Sequence, residues 1–217
     1  MKLFKFISII FAIAIIGCQQ PKKELILQDD EVGLIGYGSL TSIESMEETL
    51  GRKYDGYFDV VELKDYIRNW KVFMPNRNDM YDPYFTIRNG DTVYPKNILY
   101  LNIDSFPNSS LNGCLFVIKK SELAEFDKRE WIYRRVEVTK NIDGLNIING
   151  KVFAYTALDE FKASNPIDSN LFAVRKTYLD IVDTAFKHLS PEYKNRFFKT
   201  TEPYAKNLVI DDIALEK

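Results

Sequence analysis

From Val32 onward the apolar residues fall in short runs, broken by glycine, proline, asparagine and aspartate. Such interrupted patterning predicts many strands and few helices. Val32 to Tyr37 is an expected strand that runs into Gly36-Tyr37-Gly38-Ser39. Thr41 to Leu50 is an expected helix, because Thr41 and Glu44 have capping-box spacing. Tyr66 to Met74, Tyr84 to Arg88, Val93 to Ile103 and Gly113 to Lys119 are expected strands, with Asn89-Gly90 as a turn between two of them. Ser121 to Glu130 is an expected short helix capped by Ser121, with Leu123 and Phe126 on one side. Tyr133 to Lys140 and Gly150 to Leu158 pattern as hairpin strands around Asn141-Ile142-Asp143-Gly144. In Asn170 to Leu189 the residues Leu171, Val174, Tyr178, Ile181, Val182, Ala185 and Leu189 recur at helical steps. Ser190-Pro191 opens another short helix, with proline at its first position. The sum is one α+β domain, a strand-rich body with a helical C-terminal addition.

The first residues break this pattern. Lys2 and Lys5 precede an uncharged apolar run, Ile7 to Ile16, that is shorter than the ~20 residues a membrane-spanning helix needs. The run stops at Gly17-Cys18, which resembles a bacterial lipobox. Residues 1–17 are therefore expected to be a lipoprotein signal peptide, Cys18 the lipidated first residue, and 18–30 a polar tether. The domain is expected over 31–217, with its C-terminal helices from about residue 168. The implied location is the bacterial cell envelope, with the chain lipid-anchored to a membrane through Cys18. An uncleaved signal anchor or a plain secretory peptide is the alternative.

Composition narrows the chemistry. The chain has 217 residues, 46% hydrophobic and 14% aromatic, which is too apolar for disorder. Its 29 basic and 31 acidic residues lack the surplus expected of a nucleic-acid binder. One histidine and two cysteines exclude a zinc finger, a disulfide scaffold or a cluster of imidazoles. Cys114 lies in an apolar run and is expected to be a buried strand residue. His188, near a helix end, is expected to cap or lie at the surface. Asn76 to Asp82 lacks the glycine and final glutamate of a calcium loop. No cofactor and no metal is expected.

Two segments remain. A strand leading through Gly36-Tyr37-Gly38-Ser39-Leu40 into a helix start exposes several backbone N–H groups, a nest suited to an anion. A plain structural turn is the alternative. Asp127 and Glu130 are three residues apart, hence on one helix face, among Phe126, Trp131 and Tyr133. Such surroundings could lift one carboxyl into a useful acid–base range. A solvated helix end paired with Lys128 and Arg129 is the alternative.

In this order the two segments resemble the signatures of the γ-glutamylcyclotransferase-like family. Tyr37-Gly38-Ser39 is similar to its substrate loop. Gly113-Cys114-Leu115-Phe116, then Phe126-Asp127-x-x-Glu130-x-x-Tyr133, is similar to its second signature, and Ala154-Tyr155 to the strand that follows. The resemblance spans about Val32 to Leu158. It leans toward the ChaC-type, glutathione-directed branch, whose His-Arg-Gly and Pro-Gly-Arg-Val segments have no counterpart here; Arg68-x-Trp70-x-x-Phe73 echoes the family's arginine–aromatic strand. The resemblance implies a small mixed β-barrel with a few helices. It implies that the α-amine of a γ-glutamyl group attacks its own γ-carbonyl, giving 5-oxoproline. Glu130 would be the acid–base residue, and Tyr37, Gly38, Ser39, Leu40 and Tyr155 would hold substrate. Two other classes stay open: an envelope lipoprotein on the same fold that binds a ligand without turnover, and a structural lipoprotein that borrows the scaffold.

Overall fold

The computed structural model describes residues 23–213; Cys18 and the expected signal peptide lie outside them. In chain order the strands and helices are β1 (Lys23–Ile26), β2 (Glu31–Gly36), α1 (Ile43–Leu50), β3 (Phe58–Pro75), β4 (Thr86–Arg88), β5 (Asp91–Val93), β6 (Asn97–Lys119), α2 (Leu123–Arg129), β7 (Tyr133–Glu137), β8 (Ile142–Asp143), β9 (Leu145–Ile148), β10 (Val152–Ala157), β11 (Phe172–Arg175), α3 (Lys176–Ala185), α4 (Pro191–Lys199) and β12 (Val209–Ile210). The α+β expectation holds.

The body is organised by β3 and β6, which pair antiparallel from Phe58↔Phe116 to Pro75↔Asn97. The sequence breaks β6 in two, because Asp104 to Asn112 is polar enough to pass for a loop. The strand carries that stretch as a bulge, with Asp65 and Asn108 both at positive φ and Asp65 Oδ1 accepting the Asn108 N–H at 3.0 Å. Being so long, β6 serves two sets of neighbours. Its second half pairs with β2, then β10 and β7 follow; its first residues pair in parallel with β11, then β12. The path β12-β11-β6-β2-β10-β7 is open, with β3 and β8 branching from it, so the expected barrel is corrected to an unclosed mixed sheet.

Several local expectations also change. Residues from Lys23 are not a tether: β1 pairs in parallel with β9, and Leu25 and Leu27 are buried. β7 and β10 pair as expected, but the chain between them detours so that β8 joins β3 and β9 joins β1. The helix expected from Asn170 begins only at Lys176. Phe172 to Arg175 instead form β11, because β6 and β12 offer hydrogen-bonding edges that override the helical spacing. The C-terminal segment thus adds helices and also two strands of the sheet. Ser42, not Thr41, caps α1 by accepting the Ser45 N–H at 3.2 Å; Thr41 turns its hydroxyl back to the Gly38 carbonyl. α2 is entered through Lys120–Glu122, with Glu122 accepting the Lys119 N–H, so Ser121 is not its cap. The Asn89-Gly90 turn and the Ser190-Pro191 start of α4 are as expected. Among the described residues no helix is long and apolar enough to cross a membrane.

Candidate active site

The loop after β2 owes its shape to two glycines. A Cβ on Gly36 would collide with the Leu40 carbonyl oxygen, so the tight return from strand to helix needs glycine there. A Cβ on Gly38 would lie 2.9 Å from the Tyr178 hydroxyl, so only glycine lets α3 come this close. A phenol of the protein therefore stands against the loop at Gly38.

Glu130 closes α2. Its N–H donates to the Phe126 carbonyl at 2.8 Å, and its own carbonyl accepts the Tyr133 N–H at 2.8 Å. Phe126 is fully buried and pins the helix, which sets Glu130 against the loop. The Glu130 side chain is 14% exposed. Burial holds its carboxyl above the ordinary value, and the Arg129 guanidinium pulls it part of the way back.

Three phenols feel this carboxylate. Tyr37 donates its hydroxyl to the Tyr155 carbonyl at 2.7 Å, and Tyr133 donates to the Leu101 carbonyl at 2.8 Å. Burial pushes both far up, and Glu130 pushes further. Tyr178 is pushed up to about 12, first by burial and then by Glu130. All three are neutral at ordinary pH, and Tyr37 and Tyr133 are donors.

Tyr37, Gly38, Ser39, Leu40, Glu130 and Tyr155, the residues expected to form the site, line one small cavity of about 30 Å³ together with Tyr133 and Tyr178. It holds little more than a water. Ser39, Glu130, Tyr133 and Tyr178 also line a cleft of about 910 Å³ between α1, α2 and α3. Glu130 thus stands where a roomy cleft meets the amide-bearing loop.

The paired-carboxylate expectation is corrected. Asp127 is 45% exposed and takes a two-pronged ion pair from Arg135, at 2.9 and 2.7 Å, plus the Tyr155 hydroxyl at 2.7 Å. Glu130 lies past the helix end, at φ −90° and ψ 39°, so the shared-face geometry no longer applies. Its shift comes from burial, with no part from Asp127. Tyr155 borders the cavity but commits its hydroxyl to Asp127.

Arg129 is the functional residue that sequence spacing passes over as an ordinary charge partner. Its Nε lies 3.2 Å from Glu130 Oε1. Its terminal nitrogens donate to the Ser45 carbonyl and hydroxyl, each at 2.8 Å, to Ser39 Oγ at 3.2 Å and to Thr49. One side chain ties α1, the loop and the carboxylate together. The only hint in the sequence is its place beside Glu130.

The remaining candidates are structural. Cys114 is fully buried, 3.7 Å from the Tyr193 hydroxyl, and burial pushes its thiol up to about 12. His188 is exposed, 3.4 Å from Glu44. Arg68 is sealed under the Phe197 ring at 3.8 Å and hydrogen-bonded to the Asn112 and Phe197 carbonyls, while Trp70 packs edge-on against Tyr178 and supports the site wall. Among the described residues no three metal-ligating side chains gather.

Comparison with solved structures finds the same architecture elsewhere. A γ-glutamyl cyclotransferase superposes with a TM-score of 0.50 at 14% identity, covering 83% of this chain and 94% of that one. An uncharacterised Homo sapiens protein superposes with a TM-score of 0.52 at 16% identity, covering 81% and 92%. Neither a family model nor a curated protein matches the chain. At such identities the likeness is one of fold, and the fold of this chain is γ-glutamyl cyclotransferase-like.

Proposed function

We propose that this chain is an enzyme of γ-glutamylcyclotransferase type. It releases 5-oxoproline from a γ-glutamyl peptide, amino acid or amine. One observation carries the reading: a buried glutamate, its carboxyl held up by burial, stands where a substrate-sized cleft meets the Tyr37-Gly38-Ser39-Leu40 loop.

The chemistry asks for little else. Nucleophile and electrophile share one molecule, so the protein mainly has to fold the substrate on itself. Glu130 takes a proton from the α-ammonium, and the freed amine forms a C–N bond to the γ-carbonyl. Collapse breaks the γ-amide bond, the proton passes from Glu130 to the departing nitrogen, and the second proton, shed by the ring nitrogen, ends on the released amine as its ammonium. A carboxyl raised toward working pH suits both transfers. The amides of Gly38, Ser39 and Leu40 would hold the substrate α-carboxylate or the developing oxyanion, beside the Tyr178 hydroxyl. Arg129 orients the Glu130 carboxylate and opposes the upward pull of burial on its pKa.

A second reading, a ligand binder without turnover, draws on that same Arg129 contact at 3.2 Å and on the Tyr178 hydroxyl standing against Gly38. Incubating the protein with γ-glutamyl amino acids, peptides and amines separates the two. Release of 5-oxoproline supports the enzyme; binding of the same compounds with no release supports the binder. We infer also that the chain acts in the cell envelope, held by lipid on Cys18, a reading that rests on the Gly17-Cys18 junction alone.

A further inference from the structure

Of the cations lining the cleft, the reaction above uses Arg129 and leaves the exposed Lys128 and the buried Arg175. Arg175 ends β11 and caps α3, is only 8% exposed, and lines the same cleft as Glu130. Its guanidinium lies 3.7 Å from the centre of the Tyr84 ring and 5.8 Å from that of Tyr100. Tyr84 is itself fixed: the buried Asn76 side chain accepts its N–H at 2.9 Å and donates to its carbonyl at 2.8 Å.

A guanidinium buried this far ordinarily has its donors matched to an anion. Here the match is poor. Among the described residues its one ion pair is with Asp212, Nε to Oδ2 at 3.8 Å, beyond hydrogen-bonding distance, and the buried Nε has no hydrogen-bond partner. Asp212 is engaged elsewhere, accepting the Thr177 N–H at 3.0 Å and the Thr177 hydroxyl. Arg68, the other deeply buried arginine, also leaves its Nε without a partner, but two backbone carbonyls and Thr201 accept from its terminal nitrogens, and it does not line this cleft.

We propose that Arg175 is the subsite for a carboxylate carried by the departing half of the substrate, so that the preferred leaving group is an amino acid or short peptide rather than a simple amine. The proposal rests on the γ-glutamyl reading for the other half of the ligand. Arg175 presents a fork of donors suited to a planar carboxylate. Tyr100 is the ring between it and Tyr178, with the Tyr100 and Tyr178 centres 4.9 Å apart. The carboxylates Glu44, Glu48 and Glu125 on α1 and α2 also line the cleft and would favour a cationic amine instead. The charge of the leaving group is therefore a sharp discriminator.

The test uses γ-glutamyl-tyrosine and γ-glutamyl-tyrosyl-glycine, each as the free acid and as the C-terminal carboxamide. Their binding to the Glu130→Gln protein is measured by calorimetry. At least one free acid is expected to bind about tenfold or more tightly than its carboxamide, the scale of a lost charge-assisted contact. In Glu130→Gln/Arg175→Met the difference is expected to fall to about twofold or less. Equal binding of acid and carboxamide, tighter binding of the carboxamide, no binding of any of them, or an acid preference that survives Arg175→Met would each overturn the proposal. If the Met variant does not fold by thermal melt, Arg175→Lys replaces it, and the acid-to-carboxamide ratio is expected to shrink as the fork becomes a point charge; an unchanged ratio overturns the proposal. Parallel assays of 5-oxoproline release by wild type keep the two claims apart. An acid preference without release would retain the Arg175 subsite and refute the enzyme.

Discussion

Glu130 is where chemistry and stability pull in opposite directions. Its carboxyl is held above the ordinary 4.5 by burial, so the native state binds this proton more tightly than the unfolded chain. The contribution of Glu130 to stability is then fully present below 4.5, is lost as pH rises through the raised folded value, and stays lost above it. Glutamine carries no charge to desolvate, so Glu130→Gln is expected to melt no lower than wild type at pH 7, with any advantage shrinking toward pH 4. Melts across that range check it. A marked loss of stability in the variant at pH 7 would instead make Glu130 a structural partner of Arg129. Arg129 has its own signature. Because it pulls the Glu130 carboxyl down, Arg129→Gln should move the acidic limb of kcat/KM to higher pH. A limb that stays in place would separate Arg129 from the acid–base group.

At the scale of elements, the site depends on a turn and a helix end meeting. The loop could be found in the sequence because Gly36-Tyr37-Gly38-Ser39 follows an apolar strand, and the structure gives Gly36 a steric reason. Gly36→Ala is expected to displace the Leu40 carbonyl and lose both melting temperature and turnover, read by a thermal melt and an activity assay. Normal values in both would mean that the loop adjusts freely. Glu130 was legible as a helix-end carboxylate, but its separation from Asp127 was not. That separation depends on Arg135 and Tyr155 coming from β7 and β10 to claim Asp127. Tyr178 was legible only as a core position of a helix. Its place over Gly38 follows from β11 docking in parallel on β6, which helical spacing hides. Arg175 was hidden for the same reason.

For the whole molecule, the α+β class follows from interrupted apolar runs, whereas closure of the sheet does not. The path stays open because β6 alone reaches both sets of strands, a property of its 23-residue length and bulge rather than of any local motif. The envelope reading has a direct check. Mass spectrometry of protein from its native host should find Cys18 at the N-terminus, heavier by acyl groups, and an unmodified Met1 terminus would contradict it. The enzyme itself is tested most directly by following 5-oxoproline released from a γ-glutamyl panel by wild type, Glu130→Gln and Asp127→Asn, with melts in parallel. The expected result is turnover by wild type, a loss of about 10²- to 10⁴-fold in Glu130→Gln with an intact fold, and a smaller loss in Asp127→Asn. Near-normal turnover by folded Glu130→Gln, or none by wild type across the panel, would contradict the account.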